Sequence, residues 1–124
     1  MKFTLQNDST INLVRACSDS EVRVGDRALR ASCILTARRI EDDWPPREVA
    51  SLTAEHLDAV LALDPEVILL GTGARQRFPD ARVLRPALER GVAVEVMDTR
   101  AACRTYNLLA QEGRRVAAAL ILGG

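Results

Sequence analysis

The sequence predicts a domain of the α/β class, and three observations predict it. Short segments rich in β-branched residues and separated by turn residues fill the N-terminal third of the chain. Beyond Trp44-Pro45-Pro46 the pattern changes to apolar runs alternating with capped amphipathic segments, the order expected of β-α-β units. The composition, 48% hydrophobic and 27% charged, is that of an ordinary globular chain, neither disordered nor fibrous. With 124 residues, a single domain over 1–124 can bury a core without disulfides or a structural metal.

Residues 11–16, 21–24 and 28–36 read as strands of an antiparallel meander, with turns at Ser18-Asp19-Ser20 and Gly25-Asp26. Residues 38–43 are polar, and the two prolines that follow Trp44 end any regular ladder, because each removes a backbone donor and restricts the residue before it. Thr53 can cap a helix over 54–63, with Leu57, Val60 and Leu61 on its apolar face. Residues 66–70 form an apolar run suited to a strand buried on both faces, ending at Gly71-Thr72-Gly73. A short helix is predicted over 84–90, which keeps Pro86 in its first turn and leaves Gly91 to stop it. Residues 92–97 make the next strand. Asp98 or Thr99 caps a helix running to Glu112 and ending at Gly113. The run 116–122 is wholly apolar and, following a helix stop, reads as a last buried strand.

Bulk properties exclude several function classes. Seventeen basic and seventeen acidic side chains cancel, so the chain lacks the long-range field that nucleic acid or an anionic membrane would need. The first ten residues, MKFTLQNDST, lack the layout of a signal peptide, and no apolar run approaches the length of a spanning helix; a cytoplasmic protein is expected. Cys17, Cys33 and Cys103 are odd in number and widely spaced, so reduced thiols are the expectation. His56 is the sole histidine, which removes most triad and multi-histidine metal chemistry; no cofactor and no metal site is expected.

The geometry of parallel strands marks one place for a ligand or partner. The loops after strands 66–70 and 92–97, Gly71-Thr72-Gly73 and Asp98-Thr99-Arg100, would emerge on the same sheet edge, where open α/β sheets bind ligands. The start of the next helix would offer N–H groups to an anion, Cys103 lies in its first turns, and Tyr106 flanks both of its faces. The candidate cleft is therefore Gly71, Thr72, Gly73, Asp98, Thr99, Arg100, Cys103 and Tyr106. The structural alternative is a pair of tight turns plus an ordinary helix cap. Gln76 stands where a dinucleotide motif needs its third glycine. Cys103 can equally be a packing residue, and Tyr106 can serve the cleft or cover the helix edge. The stripe Arg100, Arg104, Asn107 and Gln111 reads as solvent-facing, and Ala101, Ala102, Thr105, Leu108 and Leu109 as the core side. Arg75, Arg77, Arg82 and Arg85 could meet an oxyanion, but sixteen of the seventeen basic residues are arginine and a solvated face explains them. His56 reads as an exposed histidine, and Asp42-Asp43 as a solvated turn.

The segments Val67-Ile68-Leu69-Leu70-Gly71-Thr72-Gly73, Val94-Glu95-Val96-Met97-Asp98-Thr99, and Ala102 to Leu109 with Glu112-Gly113-Arg114 together resemble a known family. Val22 to Gly25, Ser32 to Leu35 and Trp44 extend the likeness. It is the family of small domains of unknown function that includes the mitochondrial NADH dehydrogenase (complex I) assembly factor three and short bacterial proteins. The resemblance implies a three-layer α/β fold, with an N-terminal antiparallel β portion packed against a mixed central sheet with flanking helices. It carries no catalytic residues over.

The function expected is a non-catalytic protein-binding or assembly factor, its partner a protein and, through the resemblance, a component of NADH dehydrogenase assembly. The alternative is a small-molecule or anion binder, or a modest enzyme, using the strand-end cleft. A homo-oligomer that buries these loops is a third reading.

Overall fold

A computed structural model describes residues 11–123; the N-terminal stretch read above for a signal peptide lies outside them. Two sheets form. Strands β1 (Val14–Cys17), β2 (Val22–Val24) and β3 (Arg27–Leu29) make a three-stranded antiparallel sheet in chain order. The β2–β3 turn needs Gly25 at φ 59°, a region open to glycine without strain. Register slips between Val14 and Ala16, so Arg15 is an extra residue on β1.

The second sheet contains β4 (Cys33–Leu35), β5 (Ile40–Glu41), β6 (Val67–Gly71), β7 (Ala93–Met97) and β8 (Val116–Leu120), in the order β5-β4-β8-β6-β7. β6 runs parallel to both β7 and β8, whereas β4 is antiparallel to β8 and β5, so the sheet is mixed. Three helices connect them: α1 (Ala54–Leu61), α2 (Ala81–Glu89) and α3 (Thr99–Gln111).

The alternating side chains of β6 and β8 explain the three layers. Val67, Leu69, Val116, Ala118 and Leu120 face one core, shared with α3 and the small sheet through Ala102, Cys103, Tyr106, Val22 and Leu29. Ile68, Leu70, Ala117 and Ala119 face the other, shared with α1 and α2 through Leu57, Val60, Leu61, Val83 and Ala87. Both strands are buried along their whole length, as their unbroken apolar runs require.

Several boundaries differ from the sequence reading: the first strand runs Val14–Cys17 rather than 11–16, and the polar stretch 38–43 holds the short strand β5. The strand expected over 28–36 is two strands in different sheets. Between them Ser32 is fully buried: its carbonyl accepts from Trp44 N (3.2 Å) and its hydroxyl from Leu122 N (3.0 Å), which carries the chain from one sheet to the other. Helix α1 stops at Leu61, and Asp64 beyond it takes φ 59°. Helix α2 begins three residues earlier than expected because the Asp80 carboxylate caps it, accepting from Arg82 N at 2.9 Å. Pro86 therefore sits inside the helix, where it withdraws one backbone donor. The last strand ends at Leu120, although Ile121 and Leu122 remain fully buried.

Candidate functional site

The strand-end loops meet as the parallel register requires: Gly71 lies beside Met97 on one side and Leu120 on the other. They form a hydrogen-bonded knot. Thr72 N donates to Met97 O and Thr99 N to Gly73 O, each at 2.9 Å. Thr99 is buried, and its hydroxyl accepts from Gly73 N (2.8 Å) while donating to Ile121 O (2.9 Å). The Thr72 hydroxyl accepts from Arg77 N (3.2 Å) and reaches the carbonyls of Arg75 and Met97. Asp98, rather than Thr99, caps α3, its carboxylate accepting from Ala101 N at 2.8 Å. A Cβ on Gly71 would stand 3.0 Å from Thr99 Cα. Glycine here admits the helix rather than a gap. Beside the knot is a depression of about 260 Å³ lined by Glu48, Val49, Thr72, Arg75 and Arg77.

The other three positions of the expected cleft lie elsewhere. Tyr106 is fully buried beneath β1, its hydroxyl donating to Asn12 O at 2.6 Å, and burial raises its phenol above the ordinary range. Arg100 and Cys103 border a separate depression of about 300 Å³ between α3 and β1, whose rim includes Arg15 and Arg104. There Cys103 Sγ–H donates to Cys17 Sγ at 3.4 Å, and Arg100 pairs with Asp19 at 3.5 Å. Asn107 also differs from expectation. It is half-buried and clamps β1, its Oδ1 accepting from Val14 N and its Nδ2 donating to Val14 O, both at 2.8 Å. Leu108, expected on the core side, is 58% exposed; Thr99, Ala102, Cys103, Tyr106 and Ala110 are the buried face of α3.

Residues 14–121 match the family described as "Protein of unknown function (DUF498/DUF598)". The chain belongs to this family. A Danio rerio protein named NADH dehydrogenase [ubiquinone] 1 alpha subcomplex assembly factor 3 is 45% identical over 80 residues, 63% of this chain and 46% of the relative. The "13 kDa major membrane protein" of Francisella tularensis is 39% identical over 74 residues, 60% of each chain. The chain thus spans about half the length of the curated relatives it matches. A Xanthomonas campestris protein solved by NMR superimposes with a TM-score of 0.83 at 48% identity, covering 91% of this chain and 86% of that one.

In this DUF498 member the remaining sequence candidates have local structural roles. His56 is half-buried rather than exposed: its Nδ1 accepts from Thr53 N (3.1 Å) while the Thr53 hydroxyl accepts from His56 N (3.3 Å), a reciprocal cap on α1. Trp44, buried against it, donates its indole N–H to His56 O at 3.1 Å. Arg82 is tied to Asp80, and this pairing holds the Asp80 carboxyl below the usual range. Asp42 pairs with Arg27 at 2.6 Å on the surface. Among the described residues, no three His, Cys, Asp or Glu side chains converge as a metal site, and no helix is long and apolar enough to cross a membrane. Sequence reasoning missed Cys17 and Asn107 because their partners lie 86 and 93 residues away in the chain.

Proposed function

We propose that this DUF498 member is a protein-binding assembly module that works without catalysis, and that its partners belong to NADH dehydrogenase assembly. The observation that carries the reading is an exposed apolar surface at the open edge of the large sheet. Among the described residues β7 is the last strand in the sheet order, and beside it Leu88 of α2 is 79% exposed above a depression of about 420 Å³ lined by Leu84, Val92 and Val94. An unpaired strand edge next to exposed aliphatic side chains is the kind of surface that protein partners cover. The relatives named as assembly factors supply the partner class. The knot at Gly71, Thr72, Gly73, Asp98 and Thr99 borders the C-terminal end of this edge and gives the contact a rigid flank.

The alternative, a small-molecule or anion binder at the strand ends, has less support. The N–H groups of Thr72, Gly73, Thr99 and Ala101 already donate within the protein, leaving few donors for an anion.

Affinity capture of the tagged protein from its native cells, read by quantitative mass spectrometry, tests the proposal. NADH dehydrogenase subunits enriched by the unaltered protein and lost with Leu88→Asp are the expected outcome. Equal recovery with both baits would overturn the surface assignment, and recovery of bait alone would overturn the partner class. A metabolite at a hundred times its dissociation constant adds about 2.7 kcal/mol to stability, so a thermal-shift screen detects the alternative.

A further inference from the structure

Two of the three thiols face each other across the interface between the small sheet and α3. Cys17 ends β1 and is half-exposed, whereas Cys103 lies in the second turn of α3 with 3% of its surface accessible. Their sulfurs are 3.4 Å apart, so a bond would require them to close by about 1.4 Å. β1 can supply that movement. Among the described residues it is an edge strand of its sheet, and it already breaks register at Arg15. Cys33, fully buried in the same core, is the internal contrast: burial pushes its thiol up to about 12.

The surroundings distinguish the two members of the pair. The depression at Cys17 is rimmed by Arg15, Arg100 and Arg104, three cations at the mouth of a cleft that ends on a sulfur. The hydrogen bond from Cys103, with the Arg100 guanidinium nearby, holds the Cys17 thiol below the usual range against the opposing effect of burial. Giving that hydrogen bond and being buried push Cys103 the other way. An accessible thiol at the mouth of a cationic cleft, backed by a sheltered second thiol, is the arrangement of an attacking and a resolving cysteine.

We propose that Cys17 and Cys103 form a reversible dithiol–disulfide pair, oxidised by a low-molecular-weight disulfide whose carboxylates the arginines of the cleft attract. The Cys17 thiolate attacks one sulfur of the incoming disulfide. That S–S bond breaks, one small thiolate departs and takes up a proton, and a mixed disulfide remains on Cys17. Cys103 then attacks the Cys17 sulfur and its proton passes to the second small thiolate as it leaves. Two protein thiols are oxidised and one small disulfide is reduced to two thiols. The new bond ties the edge of the small sheet to α3 across 86 residues of chain, a closure that stabilises the fold by restricting the unfolded state.

Glutathione disulfide, which carries carboxylates on both arms, is the probe. The folded protein is equilibrated in glutathione buffers of graded oxidation, alkylated, and read by intact and peptide mass spectrometry, with thermal melts alongside. The expected product has lost two hydrogens, yields a Cys17–Cys103 cross-linked peptide with Cys33 still alkylated, and melts at higher temperature than the reduced protein. Cys103→Ser should retain one glutathione on Cys17, and Cys17→Ser should retain none on Cys103. A stable glutathione adduct on Cys17 of the unaltered protein without a cross-link would overturn the proposal. So would modification of Cys103 or Cys33 ahead of Cys17, or failure of the cross-link to form while the protein remains folded.

Discussion

Asn107 and Val14 are joined as two residues of adjacent strands would be, the side-chain amide of one exchanging two 2.8 Å hydrogen bonds with the backbone of the other. The helix residue thereby satisfies the N–H and C=O of Val14 at the point where β1 breaks register with β2. One residue earlier on α3, the Tyr106 hydroxyl donates to the carbonyl of Asn12. Together they attach the small sheet to α3 by polar contacts that the apolar core alone would not specify.

Replacing Asn107 with Ala should therefore cost about 1–3 kcal/mol, because it leaves a buried donor and acceptor on Val14 unpaired. Asn107→Asp keeps the acceptor and loses the donor. Urea denaturation should place it between the parent and the alanine variant at pH 7. Equal midpoints for all three would show that water replaces the clamp without loss.

Gly71→Ala should destabilise by about 1–3 kcal/mol, the range found when extra volume is forced into a packed core. The added Cβ would meet Thr99 Cα at 3.0 Å, and backbone at the start of α3 cannot swing aside as a side chain can. Thermal melts of Gly71→Ala beside Thr99→Ser check this, since serine retains the hydroxyl that joins Gly73 N to Ile121 O. A Gly71→Ala protein as stable as the parent would mean that the α3 terminus moves easily.

Stability should fall in alkali through groups that the folded chain keeps protonated. Burial raises the Cys33 thiol from its ordinary value of 9.0 to about 12 and also raises the Tyr106 phenol. The stability they contribute is fully present below the unfolded-state values. It is lost as pH rises between the unfolded and folded values, because only the unfolded chain releases the proton there. For one group the loss is about 1.4 kcal/mol per pH unit. Unfolding free energies measured by denaturation between about pH 9.5 and 11 should thus decline less steeply for Cys33→Ala than for the parent, by about that slope. Parallel declines would remove Cys33 as the cause.

Local pattern carried most of the architecture. The runs that became β6 and β8 read as doubly buried strands because both their faces are apolar, and both their faces do meet a core. The Thr53 cap and the parallel relation of β6 to β7 were also legible, since each depends on neighbours or on element order. What escaped depended on distant partners. Asn107 looks solvent-facing on a helical wheel, and only the arrival of β1 makes its amide a clamp. Residues 28–36 look continuous, and only the burial of Ser32 between Trp44 and Leu122 reveals the change of sheet. Of the expected cleft, the five strand-end positions do meet. Arg100, Cys103 and Tyr106 sit one or more residues further along α3, where helical rotation carries them toward β1.

The place of β8 bears on how the chain is made. It is the last strand in chain order among the described residues yet stands at the middle of the large sheet, between β4 and β6. During vectorial synthesis, β4 and β6 therefore leave the ribosome without the strand that joins them, and each exposes a hydrogen-bonding edge until residues 116–120 emerge. The nascent polypeptide is open to mispairing along these edges until this strand has been translated.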